Sequence, residues 1–173
     1  EQLWLAARHA ELNSNAAELP YSFRHALFRQ VLYERTNPSV RSQLHRKVGT
    51  TLERERVAGA QVSAAELAMH FELGREPMTA LLYYAEAAEG ALARLSPTEC
   101  IGLTERALAL LEQTPEGTDR NALEITLATL RGVSATHVHG ISAEAKGAFQ
   151  RAYSLLAAAP DHPMRGRLLH GFG

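Results

Sequence analysis

The sequence has a single cysteine, Cys100, and few β-branched aliphatic residues, with 7 valines and 3 isoleucines among 173 residues. The lone cysteine excludes an intrachain disulfide and any zinc site built from several cysteines. It also favours a reducing compartment, so we expect a cytoplasmic protein. Buried strands need runs rich in valine and isoleucine, which argues against a β-sandwich or a parallel α/β sheet. No apolar run approaches the ~18–20 residues of a membrane span, and we expect no membrane partner.

Helix-forming residues are abundant instead, with 29 alanines and 25 leucines. Both residue types lose little side-chain freedom in a helix, so the composition predicts an all-α fold. The first residue is Glu1 rather than methionine and the chain stops while an amphipathic pattern is under way, so we expect the sequence to be a piece of a longer polypeptide. The length fits one domain or two small ones.

Capping residues and turn residues predict nine helices along the chain. Asn37-Pro38 and the capping boxes Ser63 to Glu66 and Ser96 to Glu99 mark three of the starts. The expected helices cover roughly residues 2–12, 25–35, 38–56, 64–73, 77–94, 97–113, 119–137, 143–158 and 163 onward. Residues 19–23 are the one candidate for a short extended segment. Short loops between helices favour antiparallel hairpins.

Small residues recur on helix faces where neighbouring helices must approach closely. One set is Ala80, Tyr84 and Ala87, and it resembles the tetratricopeptide (TPR) signature of small residues around one aromatic residue. The predicted interface residues between repeats are Ala68, Phe71, Ala80, Tyr84, Ala87, Cys100, Ala107, Phe149 and Ala152. Their spacing is irregular, so the sequence predicts a degenerate, TPR-like α-solenoid.

The formal charge changes sign along the chain although the total is only −1. Residues 21–56 carry eight arginines and lysines against three glutamates, whereas residues 57–173 carry nine basic and thirteen acidic groups. Such asymmetry suggests a boundary with different partners on either side. We therefore predict a linker segment over 1–57 and helical repeats over 58–173.

The basic segment carries a family resemblance. Residues 21–35 read YSFRHALFRQVLYER, and residues 44–49 read LHRKVG. This pattern resembles a stretch of bacterial signalling ATPases of the STAND type, and of AAA-like regulators such as LuxR-type activators and multidomain adenylate cyclases. In these proteins the stretch follows the nucleotide-binding domain and leads into TPR-like helices. The segments 65–72, 105–112 and 139–142 fit the same layout.

The resemblance implies a winged-helix-like end to the linker and a non-catalytic role in regulation for this chain. It implies an upstream domain of the same polypeptide that binds ATP or ADP with magnesium, and a protein partner or small inducer bound by the repeats. The sequence itself has no G-x-x-x-x-G-K-[ST] motif, so no cofactor is expected in this chain. By analogy with the family, His25, beside Arg24, is the candidate for contacting the β-phosphate of ADP; packing at a helix start is the alternative.

The basic residues have more than one interpretation. Arg29, Arg35, Arg41, Arg46 and Lys47 alternate with apolar positions, which favours a solvated face or a docking surface for the ATPase domain. His45, followed by Arg46 and Lys47, is assigned to this basic face rather than to a catalytic base. A DNA-binding winged helix is a second reading, and a free-standing TPR-like adaptor is a third. An enzyme using His25 or His45 would be a different class, but no catalytic motif supports it. His137 and His139 lack a third ligand at a suitable spacing, so we expect no metal site.

Overall fold

The computed structural model describes the backbone of residues 26–171 and the side chains of residues 31–169. The predicted helix over 2–12, the candidate extended segment over 19–23, and the residues Arg24 and His25 lie outside this part. Throughout 26–171 the regular structure is α-helical, and no strand is present. The helices are α1 (Ala26–Arg35), α2 (Pro38–Val57), α3 (Ala64–Leu73), α4 (Pro77–Ala93), α5 (Pro97–Leu111), α6 (Thr118–His139), α7 (Ala143–Leu156) and α8 (Arg165–Gly171).

The helix bounds agree with the predicted ones to within two residues. Capping bonds account for the agreement at three of the helix starts. The side chains of Asn37, Ser63 and Ser142 each accept a backbone N–H bond at the start of a helix, at 2.9, 3.2 and 3.1 Å. The predicted capping box at Ser96 is wrong, because its side chain makes no capping bond. Glu99 pairs with Arg94 instead, and Pro97 at the first helical position starts α5.

Successive helices form antiparallel pairs. In the α2–α3 pair, the guanidinium of Arg46, in the first half of α2, donates to the carbonyl of Gly74, just past the end of α3, at 3.3 Å. In the α6–α7 pair, Arg131 in the second half of α6 bonds Glu144 near the start of α7 at 2.9 Å. In the α5–α6 pair, Sγ of Cys100, near the start of α5, lies 3.9 Å from the carbonyl oxygen of Leu130 in the second half of α6. Helices α4 and α5 also pack extensively against each other.

The first helices of neighbouring pairs run parallel and in register. Three side-chain pairs connect α2 to α4 or its cap: Arg46 with Glu76, Glu53 with Tyr83, and Arg56 with Glu86. The partners are 30 residues apart in all three pairs. Helix α4 in turn contacts α6, and α6 contacts α8. The helices α2, α4 and α6 therefore lie side by side in chain order.

The core consists of two clusters of buried side chains. One cluster joins α2 to α6 and contains Tyr84; the other joins α4 to α8 and contains Phe149. At two glycines an aromatic ring of the neighbouring helix packs directly against the backbone. A Cβ added at Gly49 would lie 3.3 Å from the Phe71 ring, and one added at Gly132 would lie 2.7 Å from the Phe149 ring. The helices pack closely at these points because glycine has no side chain.

The positions of the small-residue sets explain their irregular spacing. The set that contains Ala80 lies on α4. Two similar sets, Cys100, Thr104 and Ala107 and then Ala145, Phe149 and Ala152, lie on α5 and α7. The 20 residues from Ala80 to Cys100 therefore separate the two helices of one pair, and the 45 residues from Cys100 to Ala145 separate equivalent helices of successive pairs. None of the helices within residues 26–171 has the length and apolar content needed to cross a membrane.

Candidate functional site

Three aromatic side chains form a hydrogen-bonded chain where α1, α2 and α3 meet. The hydroxyl of Tyr33 lies 3.0 Å from Nε2 of His45, and Nδ1 of His45 lies 3.1 Å from Nδ1 of His70. Both histidines are buried, with 8% and 4% of their surface exposed. We call Tyr33, His45 and His70 the histidine cluster.

The histidine cluster exists because α2 and α3 present these residues on their buried faces. His45 shares the buried side of α2 with Val48, Gly49 and Leu52. His70 lies beside Phe71 on the buried side of α3. The close approach at Gly49 brings the two helices together and places the histidine rings 5.1 Å apart, tilted by 45°.

A cation borders the histidine cluster. The guanidinium of Arg41 lies 4.9 Å from the centre of the Tyr33 ring. Burial lowers the pKa of His45 from its usual value, and the charge of Arg41 lowers it further. The cleft between the helices has an empty volume of about 290 Å³ that includes open solvent, and Thr36, Leu44 and Val48 complete its lining.

The chemistry available to the histidine cluster is proton exchange. A neutral imidazole has one N–H donor and one lone-pair nitrogen, so one proton fits between the two facing Nδ1 atoms. Within the described residues there is no group of three or more histidine, cysteine or acidic side chains placed to hold a metal ion. The cluster links three helices through bonds that depend on its protonation.

The predicted basic docking face is only partly exposed as free charge. Arg35 and Lys47 are exposed. Arg46 forms an ion pair with Glu76 at 2.9 Å, and Arg41 covers the Tyr33 ring. Arg29 belongs to α1, but its side chain lies outside the described part, as do Arg24 and His25 entirely. The placement of His25 against a nucleotide stays a prediction.

The predicted interface residues of the repeats are buried. All nine have at most 8% of their surface exposed: Ala68, Phe71, Ala80, Tyr84, Ala87, Cys100, Ala107, Phe149 and Ala152. The Tyr84 hydroxyl donates to Glu72 at 2.5 Å, and Arg106 donates to the same carboxylate at 2.8 Å. These bonds connect α3, α4 and α5. Burial raises the pKa of the Cys100 thiol, which is typical of a packed, unreactive cysteine.

Exposed apolar side chains mark the turns at one edge of the stack. The turns that follow α2, α4 and α6 lie at the same edge because these three helices run parallel. Each of these helix ends or turns carries one apolar residue that is 85–88% exposed: Val57, Leu95 and Ile141. We call these three residues the apolar edge. The turn after α5, at the opposite edge, consists mainly of polar residues, Pro115 and Gly117.

Sequence reasoning missed both the histidine cluster and the apolar edge. His45 was assigned to the basic face, although it lies three residues before Val48 and therefore on the apolar side of α2. Val40, Leu44, Val48 and Leu52 have the i+4 spacing of one apolar stripe, but Val40 is 36% exposed. The spacing of His45 from Val48 and Leu52 was a usable signal. Pairing with His70 had no such signal, because the two residues are 25 positions apart.

Comparison of the chain with known protein families, with curated proteins and with solved structures finds no match. A functional assignment must therefore come from the chain's own residues. The features that bear on it are the histidine cluster, the register of α2 with α4, and the apolar edge.

Proposed function

We propose that this chain is a non-catalytic regulatory segment of a bacterial signalling ATPase or transcriptional regulator. Its helix pairs stack as a TPR-like α-solenoid that binds a protein partner or a small inducer. The basic helices α1 and α2 pass the bound state to a nucleotide-binding domain, where ATP or ADP and magnesium would be held. The resemblance of residues 21–49 to STAND-type proteins supplies this context.

The apolar edge is the observation that carries a binding role. Burying a large aliphatic side chain contributes about 1.5–3 kcal/mol, which this chain forgoes at all three turns. Leu95 also adopts a left-handed backbone conformation with φ of 59°, which is unfavourable for any residue with a Cβ. An exposed leucine at a strained position costs stability twice. A partner that covers the apolar edge would recover the burial energy.

The bonds between α2 and α4 support coupling between the basic helices and the repeats. Arg46, Glu53 and Arg56 on α2 bond to Glu76, Tyr83 and Glu86, each in the same register. A shift of α4 on partner binding would therefore move α2 along with it. Because Arg46 and Arg56 are engaged in these pairs, a docking role is favoured over DNA binding.

Photo-crosslinking in the natural polypeptide tests the binding role. A benzophenone amino acid replaces Leu95 in one variant and Tyr153 in the control; Tyr153 is also exposed, at 56%, but lies on α7 away from the edge. We expect the Leu95 position to form a crosslinked product in native cells far more efficiently than the Tyr153 position. Equal yields from both positions would contradict a docking role for the apolar edge.

The coupling to a nucleotide-binding domain is tested separately with the same natural polypeptide. Its hydrolysis of ATP with magnesium is measured with and without a combined Val57→Ser, Leu95→Ser and Ile141→Ser change. We expect the triple variant to alter the rate, and a Leu82→Ser and Tyr153→Ser control to leave it unchanged. Absence of ATP hydrolysis in the unaltered polypeptide would contradict the proposed context. A salt-sensitive gel shift of random duplex DNA at micromolar protein would favour the DNA-binding alternative instead.

A further inference from the structure

The two buried histidines face each other through the same type of nitrogen. With Nδ1 of His45 and Nδ1 of His70 3.1 Å apart, one must donate and the other must accept. If His70 donates, His45 presents its lone pair at Nδ1 and carries its proton at Nε2, toward the Tyr33 hydroxyl. If His45 donates, the Tyr33 hydroxyl donates to Nε2 instead. Both arrangements keep the hydrogen-bonded chain complete while His45 is neutral.

We propose that His45 is a proton-operated latch that holds α2 against α3 when neutral and releases it when protonated. Protonated His45 has N–H groups on both ring nitrogens. Its Nδ1–H then satisfies His70 only if His70 is neutral and accepts at Nδ1. When His70 donates or is charged, two N–H groups point at each other across 3.1 Å, and the contact breaks.

The charges around the latch oppose a proton on His45. On α2, Arg41 places a guanidinium beside the Tyr33 ring. Arg46 is neutralised by Glu76 at the start of α4. On α3, Glu66 lies one helical turn before His70. Among the described side chains of α1, Tyr33 is the titratable group that lines the cleft. Burial and the charge of Arg41 therefore oppose a proton on His45 in the closed contact, and a proton there favours the open one.

The direction of the pH response follows from the lowered pKa of His45 in the closed state. In the open state His45 returns to an ordinary pKa of about 6.5. The open state therefore binds more protons, and the stability of the α2–α3 contact is full above about pH 6.5 and falls as the pH drops below it. For one linked proton the opening equilibrium increases between pH 7.5 and pH 5.5, by at most about tenfold.

Hydrogen exchange of the whole chain tests the latch. Protection of α2 and α3 is compared at pH 7.5 and pH 5.5, after correction for the intrinsic exchange rate, with α6 and α7 as the internal reference. We expect protection of α2 and α3 to fall relative to the reference, by at most about tenfold. His45→Asn, which keeps a polar group near the Nδ1 position without titrating, should abolish this response. His139→Asn, at an exposed histidine at the end of α6, should retain it.

Three results would overturn the latch. The first is an unchanged protection ratio in the unaltered chain, and the second is a pH response that persists in His45→Asn. The third is a pH response that disappears when EDTA is added, which would assign the pair to a bound metal. If His45→Asn does not fold, a nuclear magnetic resonance titration of the unaltered chain decides. The latch requires His45 to titrate below 6.5, and a midpoint at or above that value contradicts it.

Discussion

At the scale of single residues, tight packing of helices depends on glycines that have no side chain. Gly132 lies inside α6, where glycine weakens a helix by about 1 kcal/mol relative to alanine. Its position is explained by Phe149, whose ring would lie 2.7 Å from an added Cβ. Phe149 is itself only 4% exposed and has little room to move. The packing requirement outweighs helix propensity at this site.

We expect Gly132→Ala to lower the free energy of unfolding by about 1–2 kcal/mol, because overpacking costs more than the gain in helix propensity. Gly147→Ala is the matched control. Gly147 lies in α7, and an added Cβ there would meet nothing within 4 Å. The control should raise the free energy of unfolding by up to about 1 kcal/mol. Urea denaturation of both variants measures the difference. Equal effects of the two changes would contradict the packing at Gly132.

The same scale shows where sequence reasoning stops. Asn37 and Ser63 predicted helix starts correctly because a capping bond involves residues two or three positions apart. His45 was misassigned because its partner lies 25 residues away on another helix. The helix face that His45 shares with Val48 predicts that His45 is buried, but no local pattern identifies His70 as its partner.

At the scale of elements, the turn between α4 and α5 combines strain with exposure. The backbone N–H of Ser96 donates to the carbonyl of Ala91 at 2.9 Å, which closes α4 with Leu95 in the left-handed conformation. Glycine is the usual residue there, because it has no Cβ. The turn between α3 and α4 uses the same geometry with Arg75, at φ of 60°. Both turns then lead into a proline at the start of the next helix.

Leu95→Gly should raise the free energy of unfolding by about 0.5–1 kcal/mol, because relief of the left-handed strain exceeds the added entropy of the unfolded chain. Leu95→Ala keeps a Cβ and removes the same exposed side chain, so we expect no such gain. Thermal and urea unfolding of the two variants separate strain from exposure. The strain argument fails if alanine stabilises the chain as much as glycine does.

At the scale of the whole molecule, the sequence predicted an all-helical chain and the order of its helices. Ala and Leu content, caps and short loops are local properties, and they were sufficient for that result. The parallel register of α2 with α4 is a longer-range property. It is carried by pairs such as Glu53 with Tyr83, which no periodicity within one helix reveals. The apolar edge exists only because of this register, so it too was beyond the sequence.

The parallel register of α2, α4 and α6 places Val57, Leu95 and Ile141 at one edge. The distance between spin labels at Val57→Cys and Ile141→Cys tests this placement, with the buried Cys100 replaced by alanine. Packed helix axes lie about 8–10 Å apart, so the two steps from α2 to α6 span about 16–20 Å, and with the length of the labels we expect about 20–25 Å. Labels at Val57→Cys and Glu116→Cys, on opposite edges, serve as the control.

The control distance should exceed about 30 Å, since α2 alone, with its 20 residues, is about 30 Å long. A Val57–Ile141 distance near 20–25 Å, clearly shorter than the control, is the result that the parallel register predicts. A Val57–Ile141 distance of about 35 Å or more would place the two turns at opposite edges. That result would contradict the stacked arrangement and the docking surface that depends on it.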